Sequence, residues 1–167
     1  MQIHYCYTDS PLGKLLLAGD YNGLCYLGFQ EGPEPIFPEA SWRRDAAYFV
    51  NAILQLKEYF TGQRRRFSLR LHPSGSDFQL SVLEAVARVP YGDTASYSDI
   101  ARLLNNPRAV RAVGSANRKN PLPIIIPCHR IVSQSGIGGY GGHTEGAVLA
   151  IKDWLLHHEG AMFSQVS

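Results

Sequence analysis

The chain has 167 residues, 45% of them hydrophobic and 18% charged, with a formal net charge of +2 at pH 7. That is enough apolar material for one sizeable core or two small ones, and no apolar run is long enough for a membrane-spanning helix, so no membrane partner is expected. The start, MQIHYCYTDS, lacks the basic-then-apolar pattern of a signal peptide. The three cysteines, Cys6, Cys25 and Cys128, show no C-x-x-C spacing, which excludes a disulfide framework and a thioredoxin-like motif and makes reduced thiols in the cytoplasm the expectation.

From Gln2 to about Leu71 the pattern reads strand, helix, strand. IHYCYT and KLLLAG have strand texture, and the Asn22-Gly23 pair, which tolerates positive φ, turns the chain into LCYLGF as a hairpin partner. The proline-rich EGPEPIFPEAS is irregular. DAAYFVNAILQLKEYF then places Ala46, Phe49, Val50, Ile53, Leu56 and Phe60 at helical spacing, as a helix covering one face of the sheet. The basic GQRRRF reads as a solvated helix exit, FSLRL as a segment that can return to the sheet, and HPSGSD as a linker.

Beyond Asp77 the texture becomes helical. Asp77 is the expected N-cap of FQLSVLEAVARV, with Phe78, Val82, Leu83, Val86 and Val89 along one stripe, and Pro90-Tyr91-Gly92 ends it. Ser96 and Asp99 have the spacing of a capping box for YSDIARLL. In NNPRAVRAVGSANRKN, Asn106 is the expected N-cap and Pro107 the first helical position. Two short helices joined by a tight turn, the second basic, fit a helix-turn-helix. EGAVLAIKDWLLHHEG closes the pattern as an amphipathic helix capped by Gly160.

No carboxylate occurs between Asp99 and Glu145, whereas Arg102, Arg108, Arg111, Arg118, Lys119 and Arg130 all fall there. Such a stretch is an electrostatic footprint for a polyanion, or else a solvated basic face. The second helix also carries Ala109, Ala112, Gly114, Ser115 and Ala116. Small side chains of this kind allow close approach, either to a neighbouring helix or to a nucleic-acid groove, and the acid-free flanks favour the groove.

Cys128 stands between the rigid run NPLPIIIP and the pair His129-Arg130. The thiolate is the nucleophilic form of cysteine, neighbouring positive charge favours it, and prolines 121, 123 and 127 hold the backbone that bears it. The plainer reading is a buried, inert thiol, with His129 pointing away from it as the next residue of a strand.

PCHRIV, preceded by NPLPIII and by SYSDIARLLNNPRAVRAVGSANRKNP and followed by WLLHHEG, resembles the 6-O-alkylguanine-DNA alkyltransferases, or methylated-DNA-protein-cysteine methyltransferases, over roughly residues 77 to 160. SPLGKLLLAGDYNGL resembles the smaller N-terminal domain of that family. The resemblance implies an α+β protein with two domains. Residues 1–75 would form a small ribonuclease H-like α/β domain with antiparallel strands. Residues 76–167 would form a mainly helical domain with a winged-helix-like helix-turn-helix, for DNA binding and alkyl transfer.

It implies direct-reversal repair of duplex DNA by a monomer without a cofactor. A methyl or other alkyl group on guanine oxygen 6, with 4-O-methylthymine as a further candidate, passes once and irreversibly to Cys128. By the same resemblance, His129 takes the thiol proton through a water and Glu159 orients the imidazolium. Tyr97 contacts the flipped guanine and donates a proton to it, and Asn120 holds the active-site turn. Arg111 enters the base stack from a helix in the minor groove, with Arg108, Ala109, Ala112, Ser115 and Arg118 as the DNA-facing set. Carbonyls of Cys128 and Ile131 accept from the guanine amino group, and Tyr140 and Gly141 line the pocket.

Three features depart from the family pattern: Leu83 in place of a common tryptophan, Gly141 where a small hydroxyl residue is frequent, and a longer IGGYGGHTEG loop. Some relatives bind a structural zinc in the N-terminal domain, but Cys6, Asp20, Cys25 and His72 match no zinc signature, so no metal is expected. Two other classes compete. A lesion-binding regulator without transfer activity would lack the acceptor cysteine. A cysteine hydrolase needs a separate facing histidine and an oxyanion hole.

Overall fold

A computed structural model of the chain describes residues 1–134 and 147–161. The chain forms two compact units, Met1–Ser74 and Gly75–Ser167. Together they give the α+β architecture expected, and no helix among the described residues is long and apolar enough to cross a membrane.

In the first unit, β1 (His4–Thr8), β2 (Leu15–Asp20) and β3 (Gly23–Phe29) form the expected antiparallel meander. The two-residue β4 (Arg43–Arg44) adds parallel to β1, giving the order β3-β2-β1-β4. β2 is central, and Leu15, Leu16, Leu17 and Ala18 are all fully buried, the uniform apolarity of a strand covered on both faces. At the β2–β3 turn the Asp20 carboxylate accepts from the Asn22 N–H at 2.8 Å, and Gly23 takes φ +143° while the Arg70 carbonyl passes where a side chain would stand.

FSLRL returns to the sheet, as expected, through one parallel bridge, Leu24 to Leu71, in which Leu24 N donates to the Arg70 carbonyl and His72 N to the Leu24 carbonyl. One expectation for this unit needs correcting. The helix is split into a 3-10 turn, Ala46–Phe49, and α1, Val50–Phe60. A 3-10 turn winds faster than an α-helix, so the inward row becomes Phe49, Ala52, Leu56 and Tyr59, and Val50 is left exposed.

In the second unit α2 spans Asp77–Val86. Its N-cap is Ser76, whose hydroxyl accepts from Gln79 N, and Asp77 is the first helical residue rather than the cap. Val82, Leu83, Val86 and Val89 are buried as the stripe predicted, whereas Phe78 stays partly exposed. β5 (Ala95–Ser96) leads into α3 (Tyr97–Leu103), and the Ser96–Asp99 capping box is present with both bonds made. Asn105, at φ 56°, ends α3 in the left-handed conformation that asparagine tolerates. α4 runs Val110–Arg118, so it begins later than expected: Asn106 and Pro107 belong to a turn that the Ala109 N–H closes onto the Asn106 carbonyl. A 3-10 turn, Cys128–Arg130, and β6 (Ile131–Val132) follow, β6 pairing parallel with β5. α5 (Ala147–His158) ends at Gly160, φ +69°, where the Gly160 and Ala161 N–H groups close onto the His157 and Leu156 carbonyls.

Candidate active site and nucleic-acid interface

The segment 120–128 is held as a rigid turn by its own groups. Asn120 Nδ2 donates to the Ile126 carbonyl at 2.8 Å, and Asn120 Oδ1 accepts from Leu122 N at 2.9 Å. Leu122, Ile124, Ile125 and Ile126 are buried. Ile124 takes φ 74°, a conformation a β-branched residue adopts only when its surroundings compel it. Burial of its side chain is the compensation.

Cys128 sits at the end of this turn, 4% exposed. Because Cys128–Arg130 is a 3-10 turn, the alternation of a strand does not apply, and His129 and Arg130 are both drawn into the interior. Glu159, in the first turn beyond α5, meets them there. His129 Nε2 lies 2.8 Å from Glu159 Oε2, while Arg130 Nε and Nη2 lie 2.8 and 3.1 Å from Oε1 and Oε2. Arg130 Nη1 also donates to the Val89 carbonyl at 2.7 Å, so its cation is spent on a structural pair that ties α2 to α5.

Burial pushes the Glu159 carboxyl up, but the bonds from His129 and Arg130 outweigh it and bring its pKa down to about 2. The carboxylate is therefore ionised and can only accept. The proton shared with His129 accordingly belongs to Nε2, and burial holds the imidazole below its ordinary value. A neutral ring protonated on Nε2 presents Nδ1 as a base.

The β5–β6 pairing sets Ala95 opposite Ile131 and Ser96 opposite Val132. This register brings Tyr97, the next residue of the chain, beside the nucleophile. Burial raises the Tyr97 phenol, and its interaction with Cys128 adds to the rise, so the phenol keeps its proton at neutral pH. Lys152, on α5 and fully buried, donates to the Ile131 carbonyl at 2.7 Å and stands 6.0 Å from the Tyr97 ring centroid. Burial brings its pKa down to about 8, against the opposing attraction of Cys128. Asn117, on the inner face of α4, donates to the Cys128 carbonyl at 3.2 Å, and the Ile131 N–H bonds the same oxygen.

Asn117 and Lys152 were not among the residues singled out from the sequence. Their signal is positional: Asn117 stands one turn after Val113, and Lys152 stands three and four residues before Leu155 and Leu156, so each is a polar residue on an apolar stripe.

The outer face of α4 and its flanks carry Arg108, Arg111, Ala112, Arg118 and Lys119, all exposed, with Ala109 and Ser115 half-buried. None of the four cations makes an ion pair with a described carboxylate, whereas Arg102 is paired with Asp99. Two of the small residues serve packing: Ala116 is buried, and Gly114 faces the Tyr97 ring. The expected pocket residues Tyr140 and Gly141, with the glycine-rich loop, lie outside the described residues.

In the first unit Cys6 and Cys25 are buried as expected for core residues; burial pushes Cys6 up to about 11 and raises Cys25. Asp20, Cys25 and His72 nevertheless come together with ligand atoms within 4.8 Å of one another, without Cys6. Three donors fall short of the four that close a structural zinc site.

Residues 3–73 match the ribonuclease-like domain, and residues 77–161 the DNA-binding domain, of 6-O-methylguanine DNA methyltransferase. A methylated-DNA–protein-cysteine methyltransferase of Methanosarcina acetivorans is 42% identical over 95% of this chain and 99% of its own length. The constitutive enzyme of that name from Bacillus subtilis is 36% identical over 97% and 98%. Among solved structures, the Mycobacterium tuberculosis O6-methylguanine methyltransferase superposes with a TM-score of 0.83 at 39% identity, covering 95% of this chain and 93% of that one. A structure of the mycobacterial protein in complex with DNA gives 0.83 at 38% identity, covering 96% and 93%.

Proposed function

Because this chain belongs to the 6-O-methylguanine-DNA methyltransferase family, we propose a residue-level account of the reaction that membership brings. The protein is a methylated-DNA–protein-cysteine methyltransferase, and it repairs DNA by direct reversal, moving the alkyl group onto a cysteine of its own. Cys128 is that cysteine. The observation that carries this assignment is the buried turn in which the thiol stands beside a neutral His129, whose Nε2 is held 2.8 Å from an ionised Glu159.

His129 Nδ1 takes the thiol proton through a water, and Glu159 stabilises the imidazolium that results. The thiolate attacks the alkyl carbon on guanine oxygen 6. The carbon–oxygen bond breaks as the carbon–sulfur bond forms, and Tyr97 supplies a proton to the departing base. The product is a thioether, a poor leaving group, so each molecule acts once. Guanine oxygen 6 lies within the base stack, so the nucleotide must leave the duplex. Arg111, exposed on α4, takes its place in the stack, while Arg108, Ala109, Ala112, Ser115 and Arg118 meet the minor groove. The Cys128 carbonyl already takes two donors, which makes the Ile131 carbonyl the main acceptor for the guanine amino group. Division into domains 1–75 and 76–167, a monomeric state and a cytoplasmic location complete the proposal.

The test is intact mass and peptide mapping after mixing with duplex DNA that contains 6-O-methylguanine. The expected result is one methyl group on Cys128. An unmodified Cys128, or a methyl group on Cys6 or Cys25, removes the assignment.

A further inference from the structure

We propose that Asn117 is a positioning residue for the activation of Cys128: its carboxamide oxygen holds one O–H of the water whose other O–H meets His129 Nδ1. The proposal rests on the thiol activation described above and adds a residue to it.

Asn117 is 5% exposed, on the inner row of α4 with Val113 and Ala116. Its amide end is fixed by chemistry, because the atom 3.2 Å from the Cys128 carbonyl must be the nitrogen; the flipped rotamer would set oxygen against oxygen. Oδ1 is thereby directed away from that carbonyl, and it is buried without a hydrogen-bond partner among the described residues. His129 Nδ1 is likewise buried and without a partner. With Nε2–H committed to the Glu159 carboxylate, Nδ1 is a lone pair and not a donor.

Two unmet acceptors therefore belong to groups tied to Cys128, one on the neighbouring residue and one on the side chain that grips the cysteine's own carbonyl. A buried acceptor left unmet is destabilising, so each calls for a donor. A species that satisfies both needs two donors; a thiol has one and a water has two. With its hydrogens held by Oδ1 and Nδ1, the water turns a lone pair toward the thiol. In the transfer it accepts the S–H proton and gives its Nδ1-bound proton to the imidazole, so it remains a water and leaves a thiolate and an imidazolium. Asn117 keeps the second O–H out of competition for the base.

The neighbouring charged groups are committed elsewhere. Lys152, from α5, donates to the Ile131 carbonyl, Arg130 donates to Glu159, and Glu159 accepts from His129 and Arg130, while the Tyr97 phenol, from α3, keeps its proton for the base.

The experiment compares wild type, Asn117→Leu and Asn117→Ser. Leucine removes the acceptor at similar volume, whereas the serine hydroxyl can still accept. Thiolate absorbance in the ultraviolet is followed against pH without DNA, with Cys128→Ser supplying the baseline for Cys6 and Cys25. Asn117→Leu should ionise Cys128 about one pH unit later and slow alkyl transfer at neutral pH about tenfold, and Asn117→Ser should recover part of both. A wild-type titration in Asn117→Leu overturns the proposal, as does a serine variant no better than leucine. Should the leucine variant fail to fold, Asn117→Ala, which also lacks the acceptor, is read in its place, and a wild-type titration there overturns the proposal. The titration needs no substrate, so a wild-type protein that transfers no methyl group would sink the repair assignment while leaving Asn117 to be decided separately.

Discussion

At Glu159 one buried carboxylate serves both the Arg130 guanidinium and the neutral His129 imidazole, so its removal is felt by both. Glu159→Gln leaves the buried Arg130 guanidinium without its counter-charge, at a cost of about 3–5 kcal/mol, measurable as a lowered urea midpoint. The pH dependence has a definite sign. Glu159 has a folded pKa of about 2 against an ordinary 4.5, so its stabilisation is fully present above 4.5 and disappears as pH falls toward 2. His129, held below 6.5 by burial, adds to the acid loss from 6.5 downward, since the unfolded chain takes that proton first. The variant should lose the part of the pH dependence that lies between 4.5 and 2. Cys128 and His129 stand out in the sequence because their neighbourhood is unusual in itself. Asn117, Lys152 and the structural use of Arg130 do not, because each role is defined by a partner distant in the chain, such as Val89 for Arg130.

Among the elements, α4 combines two tasks on opposite faces: an exposed row of cations and an inner row that carries Asn117 to the cysteine. Gly114 lies between them. A Cβ there would meet the Tyr97 ring at 3.8 Å, ordinary contact, so Gly114→Ala should be accommodated and should raise stability by about 0.5–1 kcal/mol, read as a higher Tm. Arg111→Ala should slow repair in duplex DNA about a hundredfold, equivalent to about 2.7 kcal/mol, while reaction with a free alkylguanine stays within a factor of two; equal slowing of both substrates would remove the base-displacing role. The helices themselves were legible from periodicity, but their first residues were not. Ser76 and Asp77 can each cap α2, and Asn105 and Asn106 can each end one helix or begin the next; only the backbone angles decide between such neighbours. The inward face of α1 was misread for a related reason, since a 3-10 turn shifts the phase of everything after it.

Across the whole molecule the net charge is only +2, yet the span between Asp99 and Glu145 holds six basic residues and no acid. The structure divides that set: Arg102 and Arg130 are paired, and Arg108, Arg111, Arg118 and Lys119 face outward. Duplex binding should therefore weaken with salt along a log–log slope of about −3 to −4, and Arg118→Ala should reduce that slope by about 1. A slope near zero would mean that the basic face is merely solvated.

The turn that bears Cys128 has a consequence that can be followed without any lesion. Prolines 121, 123 and 127 have no N–H to lose, and the N–H groups of Leu122, Ile126 and Cys128 bond to Asn120 Oδ1 and to the Leu122 and Ile126 carbonyls. In heavy water these three amides should keep their protium as long as the slowest amides of α2, on the timescale of complete unfolding of the unit. Isotope retention at the nucleophile's own amide then reports how long the turn stays shut.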